Sequence, residues 1–166
     1  PYQDRVNKAR RLRPWSTYER NGVVYLWHDA AGRDPQCEVP DLFDLFDQAG
    51  SPGRYRDPYP GGTLCREGLT IHPQFVVENG VDFAHFKYVH RADQNPTIID
   101  RQFDDWHFRT TMALSFSIRT QDGPAPRIVE GGVQAHILGV GLSYAYAWGT
   151  GDVCSLTAAT PVDEAH

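Results

Sequence analysis

Trp106-His107-Phe108-Arg109-Thr110-Thr111-Met112-Ala113-Leu114-Ser115-Phe116-Ser117-Ile118-Arg119 is the stretch on which the fold class turns. Trp106, Phe108, Met112, Leu114, Phe116 and Ile118 alternate with His107, Arg109, Thr111, Ser115, Ser117 and Arg119. Successive strand side chains point to opposite faces, so this pattern predicts one long β-strand with an apolar face carrying Met112, Leu114 and Phe116. Downstream, Ile128 to Val140, Leu142 to Trp148 and Val153 to Thr160 read as further strands, punctuated by glycines at 139, 141, 149 and 151. Gln121-Asp122-Gly123-Pro124 reads as a turn. Consecutive strands with short connections imply an antiparallel sheet.

Upstream, Pro73 suits the first position of a helix. The segment it opens, through Phe75, Val76, Val77, Val81, Phe83, Ala84 and Phe86, is expected to be one long helix, with Gly80 its weak point. A long helix with a curved antiparallel sheet makes an α+β architecture. Thr63 to Ile71 is expected to be a strand, and Asp41 to Gln48 a short helix ending before Gly50. Residues 50–62, rich in Gly and Pro, read as a loop. Nearer the start, Trp15 to Tyr18 and Val23 to His28 read as strands flanking Asn21-Gly22. Asn-Gly between β-rich runs signals a tight hairpin, because both residues accept positive φ. Residues 29–36 form a turn containing Gly and Pro.

The bulk numbers fit one globular domain. The chain has 166 residues, 40% of them hydrophobic and 12% aromatic, with a formal charge of −5. Phosphate binding needs a basic surface, so no nucleic-acid partner is expected, although the first 13 residues are basic and read as a solvated surface. No apolar run is long enough for a membrane helix and no secretory signal opens the chain. Cys37, Cys65 and Cys154 are too few for a disulfide framework and fit small buried or half-buried thiols in a reducing cytoplasm. The chain opens on Pro1 and stops just after a strand-like stretch, so both ends read as cuts inside a longer protein.

The chemistry concentrates in Glu78-Asn79-Gly80-Val81-Asp82-Phe83-Ala84-His85-Phe86-Lys87-Tyr88-Val89-His90. Glu78, Asp82 and His85 form a polar stripe on a helix. Such a stripe is costly on an apolar element unless its groups are paired, solvated or metal-bound. His85 and His90, five apart, point roughly 140° away from each other on an ideal helix. They meet at one metal only if the helix ends or bulges between them, and a π-type irregularity is such a device. Two imidazoles with one carboxylate leave open positions on iron(II), the arrangement that activates dioxygen. The spacing also lets the Asp82 carboxylate hold an imidazole N–H. With seven histidines in the chain, a pair of exposed or otherwise satisfied histidines fits the same spacing.

Asp82-x-x-His85-x-x-x-x-His90 resembles the iron-binding phrase of Rieske non-haem iron oxygenase alpha subunits. The whole stretch from Glu78 to His90 is similar to the subgroup of 3-ketosteroid 9α-hydroxylases and cholesterol 7-desaturases. Pro1-Tyr2-Gln3 and Trp15 through His28 are similar to the closing strands of that subgroup's Rieske domain. The resemblance implies a helix-grip (START-like) catalytic domain. Residues 1–36 would be the C-terminal end of the Rieske [2Fe-2S] domain, ending in its terminal β-hairpin. Residues 37–62 would be a linker, and 63–166 the N-terminal part of the catalytic domain.

By the same resemblance, His85 and His90 are ligands of a mononuclear Fe(II). Asp82 is the bridging aspartate toward the [2Fe-2S] cluster of a neighbouring subunit. The implied partners are O2, a hydrophobic small-molecule substrate of steroid-like polycyclic shape, and an NAD(P)H-dependent reductase carrying flavin and an iron–sulfur centre. The implied assembly is a homotrimer. The Cys-x-His and Cys-x-x-His pairs that hold the cluster are absent, which places the cluster upstream. The third iron ligand of the family is an aspartate far beyond His90, and Asp152, Asp163 and Glu164 do not stand in that context. A cavity between helix and sheet is expected to draw its lining from Val81, Phe86, Met112, Phe116, Tyr144, Tyr146 and Trp148, each of which equally suits a plain core. An aromatic-ring hydroxylating dioxygenase and a non-catalytic lipid- or sterol-binding helix-grip module are the alternatives.

Overall fold

Alternation of apolar and polar residues builds most of what is seen. The computed structural model describes residues 14–44, 61–119 and 125–162. Within them a two-stranded hairpin, β1 (Thr17–Arg20) and β2 (Val23–Leu26), precedes two short helices, α1 (Gln74–Glu78) and α2 (His85–Tyr88). Then follow β3 (Thr97–Phe103), β4 (His107–Ile118), β5 (Arg127–Leu138), β6 (Leu142–Trp148) and β7 (Val153–Ala158). These five form a single meander in the order β3-β4-β5-β6-β7, every neighbour antiparallel.

The long strand lies where its pattern placed it. From Thr110 to Leu114 every second residue is buried. Met112 is fully buried, Leu114 nearly so, and Phe116 packs half-buried against the same cluster. β5, the central strand, is buried on both faces. The sheet therefore carries two cores. On one face Ala92, Met112, Leu114, Val133 and Ala135 gather under Phe83 and Phe86. On the other, Leu138, Tyr144 and Tyr146 pack with Leu42, which follows the hairpin. The hairpin turn itself is as expected: Asn21 and Gly22 both hold positive φ, at 53° and 72°. Asn21 also accepts the Leu42 N–H and donates to the Asp41 carboxylate, which ties the turn to the chain that covers the second face.

Several expectations are corrected. Thr63 to Ile71 forms no strand: it pairs with no strand among the described residues, and Leu64, Leu69 and Ile71 are exposed. The long helix is instead α1 and α2 with a break between them. Gly80 lowers helix propensity there, and the Asp82 carboxylate takes the Ala84 N–H, a local bond that competes with the helical ladder. Cys65 and Cys154 are exposed and only Cys37 is half-buried, all three as free thiols. Residues 42–44 are helical, but the rest of the expected helix to Gln48, the basic run over 1–13, most of the loop over 50–62 and the turn at 121–124 lie outside the described residues.

Candidate functional site

The break between the helices is what makes a site. Pro73 is buried at the start of α1, and Gly80, two residues past its end, lies against Ile137 of β5. A Cβ on Gly80 would stand 2.8 Å from Ile137 Cδ1, so a residue without a side chain lets the strap approach the sheet. The chain then turns through Asp82 into α2. His85 directs its ring Nδ1 at the backbone carbonyl of Asp82. A carbonyl only accepts, so Nδ1 carries the proton and Nε2 keeps its lone pair. The expectation that the Asp82 carboxylate would hold this ring is thus corrected: the backbone oxygen does so, and the carboxylate bonds Ala84. Glu78 accepts a bond from Gln74 one turn back and serves α1 alone.

α2 ends in a widened turn. Both Val89 N–H and His90 N–H bond the His85 carbonyl, the second spanning five residues, and Ala92 N–H reaches the Phe86 carbonyl. Arg91 takes a positive φ of 61° to close the turn. This irregularity brings His90 back toward His85: the ring centroids lie 5.1 Å apart at an interplanar angle of 67°. Phe86 sits between them and the core, 4.3 Å from the His85 ring and 5.5 Å from that of His90. Two converging imidazoles, one with Nε2 free by tautomer, are a donor set suited to a transition metal. Among the described residues no group of three His, Cys, Asp or Glu side chains is placed to hold a metal, so a third donor is not found there.

Beside the two rings opens a cavity of about 780 Å³ between the helices and the sheet. Phe86, Met112 and Phe116 line it, as the sequence suggested. Val81 is exposed and lies outside that lining. Tyr144 and Trp148 border the cavity along their strand, but their rings pack on the other face of the sheet with Tyr146 and Leu42. The residues of β6 that face the cavity are Ser143, Ala145 and Ala147, and from β7 come Val153, Ser155 and Thr157. The sequence reading passed over these. Period-two alternation carried across β6 would have found them, since small residues there alternate with rings.

The opposite face holds a second polar group. His136 is 1% exposed and stacks on Tyr144 at 4.7 Å, while its Nδ1 lies 2.9 Å from His107 Nε2. Burial, aided by the nearby His107 and Arg109 cations, pushes His136 down to about 3. Burial likewise raises Tyr144. The Tyr144 hydroxyl and His136 Nε2 are buried without a hydrogen-bond partner among the described residues. Arg109 beside them pairs with Asp100 at 2.9 Å.

A family model described as the 3-ketosteroid 9α-hydroxylase C-terminal domain matches residues 26–166. The chain is 36% identical over 106 residues to the oxygenase component of 3-ketosteroid-9-alpha-monooxygenase from Rhodococcus rhodochrous, covering 63% of this chain and 25% of that protein. It is 31% identical over 93 residues to cholesterol 7-desaturase of Caenorhabditis elegans, covering 55% and 20%. Against a 3-ketosteroid-9-alpha-monooxygenase oxygenase component of Mycolicibacterium smegmatis it is 32% identical over 92 residues, covering 54% and 22%. The chain thus spans a quarter or less of the length of these curated relatives. No solved structure matches it.

Proposed function

Because this chain belongs to the 3-ketosteroid 9α-hydroxylase C-terminal domain family, we propose that it is part of the oxygenase subunit of a Rieske non-haem iron monooxygenase that hydroxylates a hydrophobic, steroid-like polycyclic substrate. The observation that carries this reading is the convergence of His85 and His90 across the widened end of α2, beside a cavity walled by Phe86, Met112 and Phe116. His85 and His90 would hold the iron(II), with a third donor from outside the described residues. Bound there, iron(II) supplies a redox-active centre with open positions for dioxygen.

The chain's own residues do the rest. The Asp82 carbonyl fixes the His85 tautomer and ring direction, the role that outer hydrogen bonds play at metal-bound imidazoles. Phe86 shields one side of the pair from water. The Asp82 carboxylate is exposed at the surface of the strap, where it can meet a neighbouring subunit and link the iron to that subunit's [2Fe-2S] cluster. That role belongs to a homotrimer fed by an NAD(P)H-dependent reductase, and two relatives are themselves named as oxygenase components. In domain terms, residues 1–36 close the Rieske domain, 37–62 link, and 63–166 begin a helix-grip catalytic domain.

The test measures iron per subunit and product formation in the oxygenase carrying this chain, supplied with its reductase. His85→Ala is expected to lose both iron and product. Asp82→Asn is expected to keep its iron, since the backbone carbonyl still orients His85, yet to lose most product. Full iron in His85→Ala would move the metal elsewhere and favour a lipid-binding module. Full activity in Asp82→Asn would end the bridging role.

A further inference from the structure

The two imidazoles are held by different means. His85 is fixed from within the strap, by the Asp82 carbonyl. His90 stands past the end of α2, and neither helix has a buried residue with which to grip the sheet. The residues after His90 supply that grip. Arg91 turns the chain at a φ of 61°, and Ala92, 5% exposed, enters the core beside Met112 and Leu114. Asp93 then bonds β4 three times. Its N–H donates to the Ser115 carbonyl at 3.0 Å. One of its carboxylate oxygens accepts the Ser117 N–H and the other accepts the Ser117 hydroxyl, each at 3.1 Å.

The register shows why a side chain is used there. β3 pairs with β4 from Phe103 back to Thr97, which stands opposite Ala113. Carried four residues further on each strand, the same antiparallel register sets Asp93 opposite Ser117. Pro96 lies in between, and a proline has no N–H to give to a ladder, so regular pairing stops at Thr97. The Asp93 carboxylate takes the Ser117 N–H in place of the backbone carbonyl that a continuing strand would offer. An ionised acceptor makes a stronger bond than a neutral one. The strap is thus clasped to the sheet three residues past His90.

We propose, on the reading above that His85 and His90 hold iron(II), that Asp93 is a positioning residue for the metal site: by clasping Ser117 it sets where the His90 ring stands relative to His85. Without the clasp, the chain after α2 can shift His90 while every bond that orients His85 stays made. A metal site works only when its donors are held in place by the groups around them. Asp93 and Ser117 are both exposed, and Asp93 acts through the backbone. Its loss should therefore cost less than the 10-fold to 100-fold typical of removing a group bonded directly to a ligand ring.

The test uses the oxygenase that carries this chain, with its cluster oxidised. Two quantities are read: iron(II) affinity by anaerobic titration, and the electron paramagnetic resonance line shape of the nitric oxide adduct, which reports ligand geometry. Asp93→Ala is expected to weaken iron(II) binding roughly 5-fold, the size of one hydrogen bond, and to change the line shape. Asp93→Asn keeps an oxygen for the Ser117 N–H and gains an N–H for the Ser117 hydroxyl, so it should restore both readings. Wild-type affinity and line shape in Asp93→Ala would overturn the clasp, even with a lowered melting temperature, and so would an Asn variant as impaired as the Ala one. If Asp93→Ala does not fold, Ser117→Ala decides: it removes the hydroxyl bond alone and should cost about 2-fold with the same change in line shape, and no change overturns the clasp. His90→Ala separates this from the iron reading itself. It is expected to lose the iron. If it binds iron as the wild type does, the iron reading falls and the clasp with it, whereas loss in His90→Ala beside an unchanged Asp93→Ala removes the clasp alone.

Discussion

The two faces of one sheet are built from the same strands and do opposite things. On β6 the odd positions Ser143, Ala145 and Ala147 are small and leave a cavity, while the even positions Tyr144, Tyr146 and Trp148 are large and fill theirs. The face under the helices is roomy and carries the converging imidazoles at its rim. The face under the hairpin is dry and stacked: Tyr146 lies 5.5 Å from Trp148, and Tyr144 lies 4.7 Å from His136. Volume removed from one side of a strand and added to the other keeps the strand anchored while freeing space for a ligand. The stacked face supplies the rigidity that the open face gives up.

That division of labour can be broken from either side. The largest effect is expected on the filled face. Tyr144→Ala removes a side chain only 2% exposed and should cost about 4 kcal/mol, read as a lowered melting temperature. Its effect on ligand affinity in the protein that remains folded should be small. A comparable loss of affinity would show that the two faces are not separable.

Acid gives the next largest effect. His136 has a folded value near 3 against an ordinary 6.5, so the unfolded chain takes up a proton that the folded chain refuses. The stabilisation is complete above pH 6.5 and drains away as pH falls toward 3, amounting to a loss of about 3 kcal/mol by pH 4. His136→Phe keeps a ring against Tyr144 and removes the proton site, so its melting temperature should fall less steeply between pH 6.5 and 4. Parallel profiles for the two proteins would refute the assignment. The smallest change in stability is expected on the open face. Ala145→Leu projects into space and should shift stability by less than about 1 kcal/mol while weakening ligand binding, measured by calorimetry. A large destabilisation would mean that the cavity is not open there.

Much of this was legible from pattern. The Asn21-Gly22 hairpin and the strand from His107 to Ile118 follow from positive-φ tolerance and from period-two alternation, both of which are local. β3 was harder to single out. Its register shifts between Ile98 and Asp100, so two isoleucines stand side by side and the alternation breaks. Thr63 to Ile71 looked like a strand because residue type was all there was to judge by, whereas a strand also needs a partner. The helix broke where Gly80 meets Ile137 and where Asp82 bonds Ala84, one contact long-range and the other a competition between local bonds. Asp82, His85 and His90 were legible as a motif. The tautomer of His85 was not, because it depends on which oxygen of Asp82 the ring meets. The lining was half legible: Met112 and Phe116 followed from their strand, but choosing rings over small residues on β6 picked Tyr146, which faces away, and Tyr144, which borders the cavity while its ring packs in the other core.

The strap that bears the imidazoles is held far less firmly than the central strand beneath it. Neither α1 nor α2 contains a buried residue, and together they contribute nine helical positions, whereas seven of the twelve residues of β5 are buried. Free energy of opening is not shared evenly through a protein: segments with few buried contacts open alone, without waiting for the rest to unfold. The backbone amides of residues 85–90 are therefore expected to exchange their hydrogens through local openings, and those of residues 131–138 only when the sheet comes apart, as hydrogen exchange would read out. Donor groups on such a strap can give way to an incoming molecule and close again behind it, with the meander left intact beneath.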